Sequence, residues 1–345
     1  MNNANRRLLE ADVLRPVAVL LVVLLHSFTI YWGKWTPPEA FVQFAPYKWI
    51  AASSFSFTME LFVLLSGYVF GYQLLVLKKD FTISSLAKNK FKRLIVPSLI
   101  FGVVYALIFY QQRTFLKAAY AVVKGAGHLW FLPMLFWCFI FSFMLYKAEI
   151  KEKSKFIILL ACVAISAVSF PLRIDKALYY LFFFYLGLKM MQKQDLCRKL
   201  CMNRYVLLSA AIVWLSAFIS YEIYVPGLMI SANDGIFETA VKVLNKYWVF
   251  LYSFSGTMFF FLLAFRLMQN RTSVPSYVLF LSSVSFGIYL FHQIIIEVLY
   301  YKTSLPVLVG PYWLPWIGFL ISLAGSVLLV ILVRKMKLQF LSIYS

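Results

Sequence analysis

Along the chain, apolar residues gather into long blocks separated by short polar stretches. Ten blocks stand out, at roughly 13–33, 49–77, 94–111, 128–146, 156–170, 177–191, 205–224, 247–268, 277–301 and 312–333. A helix needs about 20 predominantly apolar residues to cross a hydrocarbon core of about 30 Å, and most of the blocks come near or above that length. Their apolar residues are not confined to one face, which separates lipid-embedded helices from amphipathic surface helices. The pattern predicts an all-α, polytopic membrane helix bundle of about ten transmembrane helices. The fifth and sixth blocks are short, as tilted, interfacial or re-entrant segments are. The longest loops, near 34–48 and 222–246, have only the size of lids, so 1–345 reads as a single membrane-embedded domain.

Composition agrees with the pattern. Of 345 residues, 63% are hydrophobic and 13% charged, whereas a soluble domain is about half apolar and about a quarter charged. The mean hydropathy is +0.82. No A-x-A cleavage pattern follows the first block, which is expected to remain as a helix rather than act as a signal peptide. Four cysteines make no disulfide framework in a chain of this length. Cys197 and Cys201 lie one helical turn apart, with no further Cys or His nearby in sequence to complete a metal site, so they read as reduced and structural.

The formal net charge of +20 would suit a nucleic-acid protein, but the basic residues sit in short loops and no separate basic domain exists. Their distribution follows membrane topology instead. One alternating set of loops carries 22 Lys and Arg residues and the other carries 10. By the positive-inside rule both termini are expected in the cytoplasm.

That orientation gives each polar residue a depth. Asp12 and Arg15 lie at the cytoplasmic end of the first block. His26 follows Arg15 by eleven residues, about 16 Å and nearly three full turns, so the three share one helical face. Glu60 falls in the outer half of the second block, His128 at the mouth of the fourth and His292 past the middle of the ninth. Ionisable residues at such depths are costly and mark functional sites by default. A buried histidine also serves simply to bridge two helices, which weighs equally for His128 and His292. Of the basic run 88–93, Lys88, Lys90 and Lys92 read as positive-inside charge, whereas Arg93 pairs with Arg15 as a binding candidate.

Taken together, these segments resemble the membrane acyltransferase 3 family, bacterial multi-pass enzymes that acylate surface sugars. The family opens with an acidic residue, an Arg and, after ten intervening residues, a His, matched by Asp12, Arg15 and His26. ELFVLLSGY matches its second-helix segment, with Glu60 for the usual Asp and Ser66-Gly67 intact. RLIVP supplies the Arg93 to Pro97 step, and HLWFL, FFFYLGL and SFGIYLFH follow in family order. The likeness spans essentially the whole chain. Pro16 replaces a usual Gly, as suits a first helical turn, and Val63 replaces an aromatic residue. Some members carry an appended esterase-like domain; here, transfer would be completed by the membrane domain or by a partner.

The resemblance implies acyl-CoA, acetyl-CoA by default, as co-substrate, with no bound cofactor and no metal. Arg15 and Arg93 would hold its phosphates through charge-assisted hydrogen bonds. His26 would act as general base on an acceptor hydroxyl, or as an acyl relay, with Glu60 orienting it as in a triad. Asp12, Ser66, His128 and His292 are candidate positioning residues. Tyr31, Trp32, Trp35 and Trp130 are candidate stacking surfaces for sugar rings. The expected partners are a carbohydrate or lipid-linked glycan acceptor and membrane lipids, not nucleic acid, and the expected location is the bacterial cytoplasmic membrane. The rival readings are a glycan or lipid-linked sugar transporter, opposed by the lack of an inverted repeat, and a non-catalytic assembly partner.

Overall fold

The computed structural model describes residues 8–38, 41–111, 114–231 and 236–336. In chain order the helices are α1 (Leu9–Phe28), α2 (Ala45–Leu75), α3 (Ile83–Lys90), α4 (Val96–Phe109), α5 (Phe115–Val123), α6 (Phe131–Lys147), α7 (Glu152–Ile165), α8 (Ile174–Gln192), α9 (Gln194–Met202), α10 (Arg204–Ser231), α11 (Ile236–Met268), α12 (Ser276–Tyr301) and α13 (Leu305–Lys335). No strand occurs among the described residues. The architecture is therefore all-helical, and eight helical stretches have the length and apolar composition of membrane spans. This is a multi-pass membrane protein.

The other two expected spans are α7 and α8. With 14 residues, α7 reaches about 21 Å, short of the hydrocarbon thickness. α8 is longer, at 19 residues, but carries Asp175, Lys176 and Lys189. The stretch expected to form a loop at 222–246 is largely helix, as the ends of α10 and α11 extend through it.

Most helices begin earlier than their apolar blocks, and three of these starts bear on the site. α1 starts at Leu9, with Glu10 and Asp12 in its first turn, where carboxylates favour the helix dipole. Pro16 consequently lies inside the helix rather than in its first turn, and the Asp12 carbonyl loses the amide partner it would have in a regular helix. α3 and α4 are joined by a π-helical turn, Phe91–Ile95, so the basic run expected in a loop rides on a continuous helical stretch. The Val96 amide donates to the Phe91 carbonyl there. Pro97 has no amide to offer Arg93, and the wide turn absorbs that loss. α13 begins at Leu305 and breaks at Gly310, whose φ of 71° favours glycine.

At the centre, α1 packs against α2, α11, α12 and α13, and α2 packs against α8 over much of its length. Two glycines set that last contact. A Cβ on Gly67 would overlap the Phe184 carbonyl, and a Cβ on Gly187 would overlap the Leu64 carbonyl. Small residues let helix backbones meet this closely in a bilayer. The segments ELFVLLSGY and FFFYLGL thus face each other. The periphery, α4, α10 and α13, turns Leu107, Leu208, Ile212 and Leu320 outward, as lipid-facing helices do.

Candidate active site

α1 carries two chemically different ends. At its N-terminal end, Asp12 is buried and accepts a hydrogen bond from the Ser282 hydroxyl of α12 at 3.3 Å. Asp12 also stands 3.9 Å from the Arg15 guanidinium one turn on. Arg15 reaches into a cavity of about 270 Å³, whose lining includes Lys90, Arg93, Gln73, Ser66 and Ser285. The remaining wall is apolar, including Met59, Phe62, Leu132 and Phe139. Lys90 lies 3.6 Å from the Phe139 ring centroid, a cation–π contact that keeps its ammonium against the cavity wall. Lys90 therefore lines the cavity and rides on a helix rather than in a loop. Its position on the helix, opened by the π turn, could not be read from a run of alternating lysines.

The Ser66 hydroxyl donates to the Phe62 carbonyl at 2.9 Å. Ser66 lines this cation-bearing cavity, not the surroundings of His26.

The three histidines of the chain converge at the other end of α1. The ring centroids are 4.9 Å apart for His26 and His292, 5.0 Å for His128 and His292, and 6.3 Å for His26 and His128. The tautomers follow from their neighbours. His292 Nδ1 lies 3.0 Å from the Ile288 carbonyl and 2.8 Å from that of Tyr289. Carbonyls only accept, so Nδ1 carries the hydrogen and Nε2 of the neutral ring keeps a lone pair. That Nε2 stands 3.2 Å from His26 Nδ1. His26 Nδ1 is also 2.8 Å from the Val22 carbonyl, and therefore donates as well. The nitrogen left basic on His26 is Nε2.

Both α1 contacts are to α12: Asp12 meets Ser282 and His26 meets His292. The shared face expected for Asp12 and His26 is thus the face toward α12. Glu60 is not brought to His26. It is buried beside Tyr179 and Ser253, and no hydrogen bond joins it to the histidine. Glu60 and His26 point in different directions around the bundle, and the side chain that meets the His26 ring nitrogen is His292.

His26 lines a chamber of about 600 Å³ with His128, Trp35, Trp130, Gln293 and Glu297. It also borders a second chamber of about 630 Å³, with Trp32 and the Lys48–Glu222 ion pair of 3.2 Å. Trp35 packs on His26 at 5.8 Å between ring centroids. Tyr31 is instead buried, with its hydroxyl on the Pro311 carbonyl. The His26 chamber and the cation-bearing cavity share no lining residue. Tyr289 stands between them, lining the cavity while donating from its hydroxyl to the His128 carbonyl at 2.6 Å. Phe131 packs beside it at 5.7 Å.

A cation-rimmed apolar cavity and a tautomer-set histidine thus stand at opposite ends of one helix. The family model described as an acyltransferase domain (acyltransferase 3) matches residues 8–335. The chain belongs to this acyltransferase family. No curated protein and no solved structure matches it. In this membrane acyltransferase the family-like segments thus have separate physical duties. Arg15, beside Asp12, and Arg93 line the cavity; Gly67 and Gly187 seat α2 on α8; His26, His128 and His292 close on one another. Tyr105, Gln293 and Glu297 escaped the sequence reading, although Gln293 and Glu297 form an i,i+4 pair just after His292, a spacing that places both on one face.

Proposed function

We propose that this acyltransferase moves an acyl group, acetyl by default, from cytoplasmic acyl-CoA to a hydroxyl of an extracytoplasmic or lipid-linked carbohydrate. The observation that carries the reading is the separation along α1: cations at one cavity, the basic histidine at a different one. The Lys and Arg bias assigns the Arg15 end and both termini to the cytoplasm of a bacterial cell. Phosphates of coenzyme A cannot enter hydrocarbon, so Arg15, Lys90 and Arg93 hold them at the inner face. The pantetheine arm then follows the apolar wall toward Tyr289 and Phe131, whose rings turn aside to admit the thioester.

At His26 the acceptor hydroxyl gives its proton to Nε2 while its oxygen attacks the thioester carbonyl. The C–O bond forms, the C–S bond breaks, and the proton on Nε2 passes to the departing thiolate. During the step the imidazolium is stabilised by Val22 and by the His292 lone pair, in the place a triad gives to a carboxylate. His128 stands close enough to offer its ring N–H to the developing oxyanion.

The test is transfer from radiolabelled acetyl-CoA to cell-surface glycan, in membranes carrying wild type or His26→Ala at matched levels. Ester label present with wild type and lost with the variant supports the reading. Full transfer by a folded His26→Ala protein would remove the histidine from the mechanism. If wild type transfers neither acetyl nor succinyl, the donor assignment fails.

A further inference from the structure

Beyond His26, the 600 Å³ chamber holds polar groups that the transfer chemistry does not use. Glu297, only 8% exposed, accepts from the Tyr105 hydroxyl at 2.6 Å and 2.7 Å through its two oxygens. The Gln293 amide nitrogen donates to the same carboxylate. Because a carboxylate accepts, the amide must turn its NH₂ toward Glu297, which leaves Oε1 pointing away. That oxygen is buried with no hydrogen-bond partner among the described residues, and so are both ring nitrogens of His128. Gln293 and His128 are each 4% exposed. A buried polar atom without a partner is destabilising. Here all three belong to side chains that line one chamber, next to the basic histidine. Trp35 and Trp130 give it flat apolar walls.

We infer that this chamber is the acceptor subsite and that it selects an electrically neutral, hydroxyl-bearing ring. The inference rests on the reading above and adds its specificity. Gln293 Oε1 accepts from a ring hydroxyl, while the His128 nitrogen that does not face the oxyanion accepts from a neighbouring one. The indole faces cover the ring's C–H surface. Lys34 also lines the chamber, but its ammonium lies 5.0 Å from the centroid of the Trp32 ring, which borders the neighbouring chamber. The carboxylate of Glu297, fixed by Tyr105 and Gln293, therefore disfavours a phosphate, sulfate or carboxylate substituent on that ring, since like charges repel strongly away from water. Gln293 and Glu297 touch the acceptor side of the site only, and neither lines the cation-bearing cavity.

The experiment titrates extracted surface glycan, separated into neutral and acidic pools, as acceptor for radiolabelled acetyl-CoA. Wild type, Gln293→Leu, Glu297→Gln and Tyr105→Phe are compared, and the labelled sugar is identified after hydrolysis of the glycan. The ester is expected on a neutral ring. Gln293→Leu should raise KM for glycan about tenfold and leave KM for acetyl-CoA unchanged, which also shows that the variant is folded. Glu297→Gln should narrow the preference for the neutral pool. Should Gln293→Leu not fold, Tyr105→Phe, which frees one side of Glu297, carries the same expectation with a smaller rise. An ester on an acidic ring, or a glycan KM untouched by all three substitutions, overturns the subsite while leaving the acyltransferase reading intact. Absence of any transfer by wild type, with acetyl-CoA or succinyl-CoA, overturns both.

Discussion

His292 Nε2 stands 3.2 Å from His26 Nδ1, across 266 positions of sequence. With His292 Nδ1 committed to two carbonyls of its own helix, the pair has one arrangement of hydrogens and one free basic nitrogen. His292→Leu removes the acceptor that shares the His26 N–H without touching either cavity. It is expected to lower kcat about tenfold, the worth of one hydrogen bond to a charged group, with KM for acetyl-CoA unchanged. Since a glutamine side chain also presents an acceptor, His292→Gln should recover part of the loss. Equal kcat in wild type and His292→Leu would show that Val22 alone suffices.

Lys90 distinguishes donor binding from ordinary loop charge. Lys90→Gln should raise KM for acetyl-CoA about tenfold, the scale of one charge-assisted phosphate contact, and weaken its dependence on salt. Lys88→Gln serves as control, since Lys88 does not line the cavity, and should change neither. Steady-state kinetics at two ionic strengths read both quantities.

Tyr289 and Phe131 form the wall between the two linings. Replacing Tyr289 by Ala opens that wall and deletes the hydrogen bond that anchors the His128 backbone. Water should then reach the bound thioester, so acetyl-CoA hydrolysis without acceptor rises while transfer falls. A release assay for free coenzyme A, run with and without glycan, separates the two rates.

Gly67 and Gly187 are a test of fold rather than chemistry. Either glycine replaced by alanine forces a Cβ into the facing backbone carbonyl, and overpacking of this kind costs about 1–3 kcal/mol. Both variants should unfold at lower temperature in detergent than wild type. A Gly33→Ala control introduces no such contact and reports only the cost of its positive φ.

Much of α1 was legible in advance, because 3.6 residues per turn fixes which side chains share a face whatever surrounds the helix. Asp12 and His26 do look the same way. The partner across that face was not legible: the positive-inside reading expects Glu60 and His292 in the same half of the bundle, and only packing decides which one turns toward His26. Lys90 was hidden for a different reason. Basic residues near a membrane boundary obey the positive-inside bias whether or not they bind a ligand, so the pattern masks a site that uses it. Pro16 and the start of α1 were misplaced because hydropathy stops at the last apolar residue, whereas the helix continues through Glu10 and Asp12.

The π turn at Phe91–Ile95 makes the number of residues in this segment a property of the donor site. Each residue added to or removed from a helix rotates everything beyond it by about 100°. Adding or removing a residue while the turn keeps its wide pitch would swing Lys90 away from Phe139 by that angle. The segment can therefore exchange one side chain for another of similar size, but it cannot change length. What it preserves is a tally along the backbone, and insertion or deletion there is the change this enzyme is least equipped to absorb.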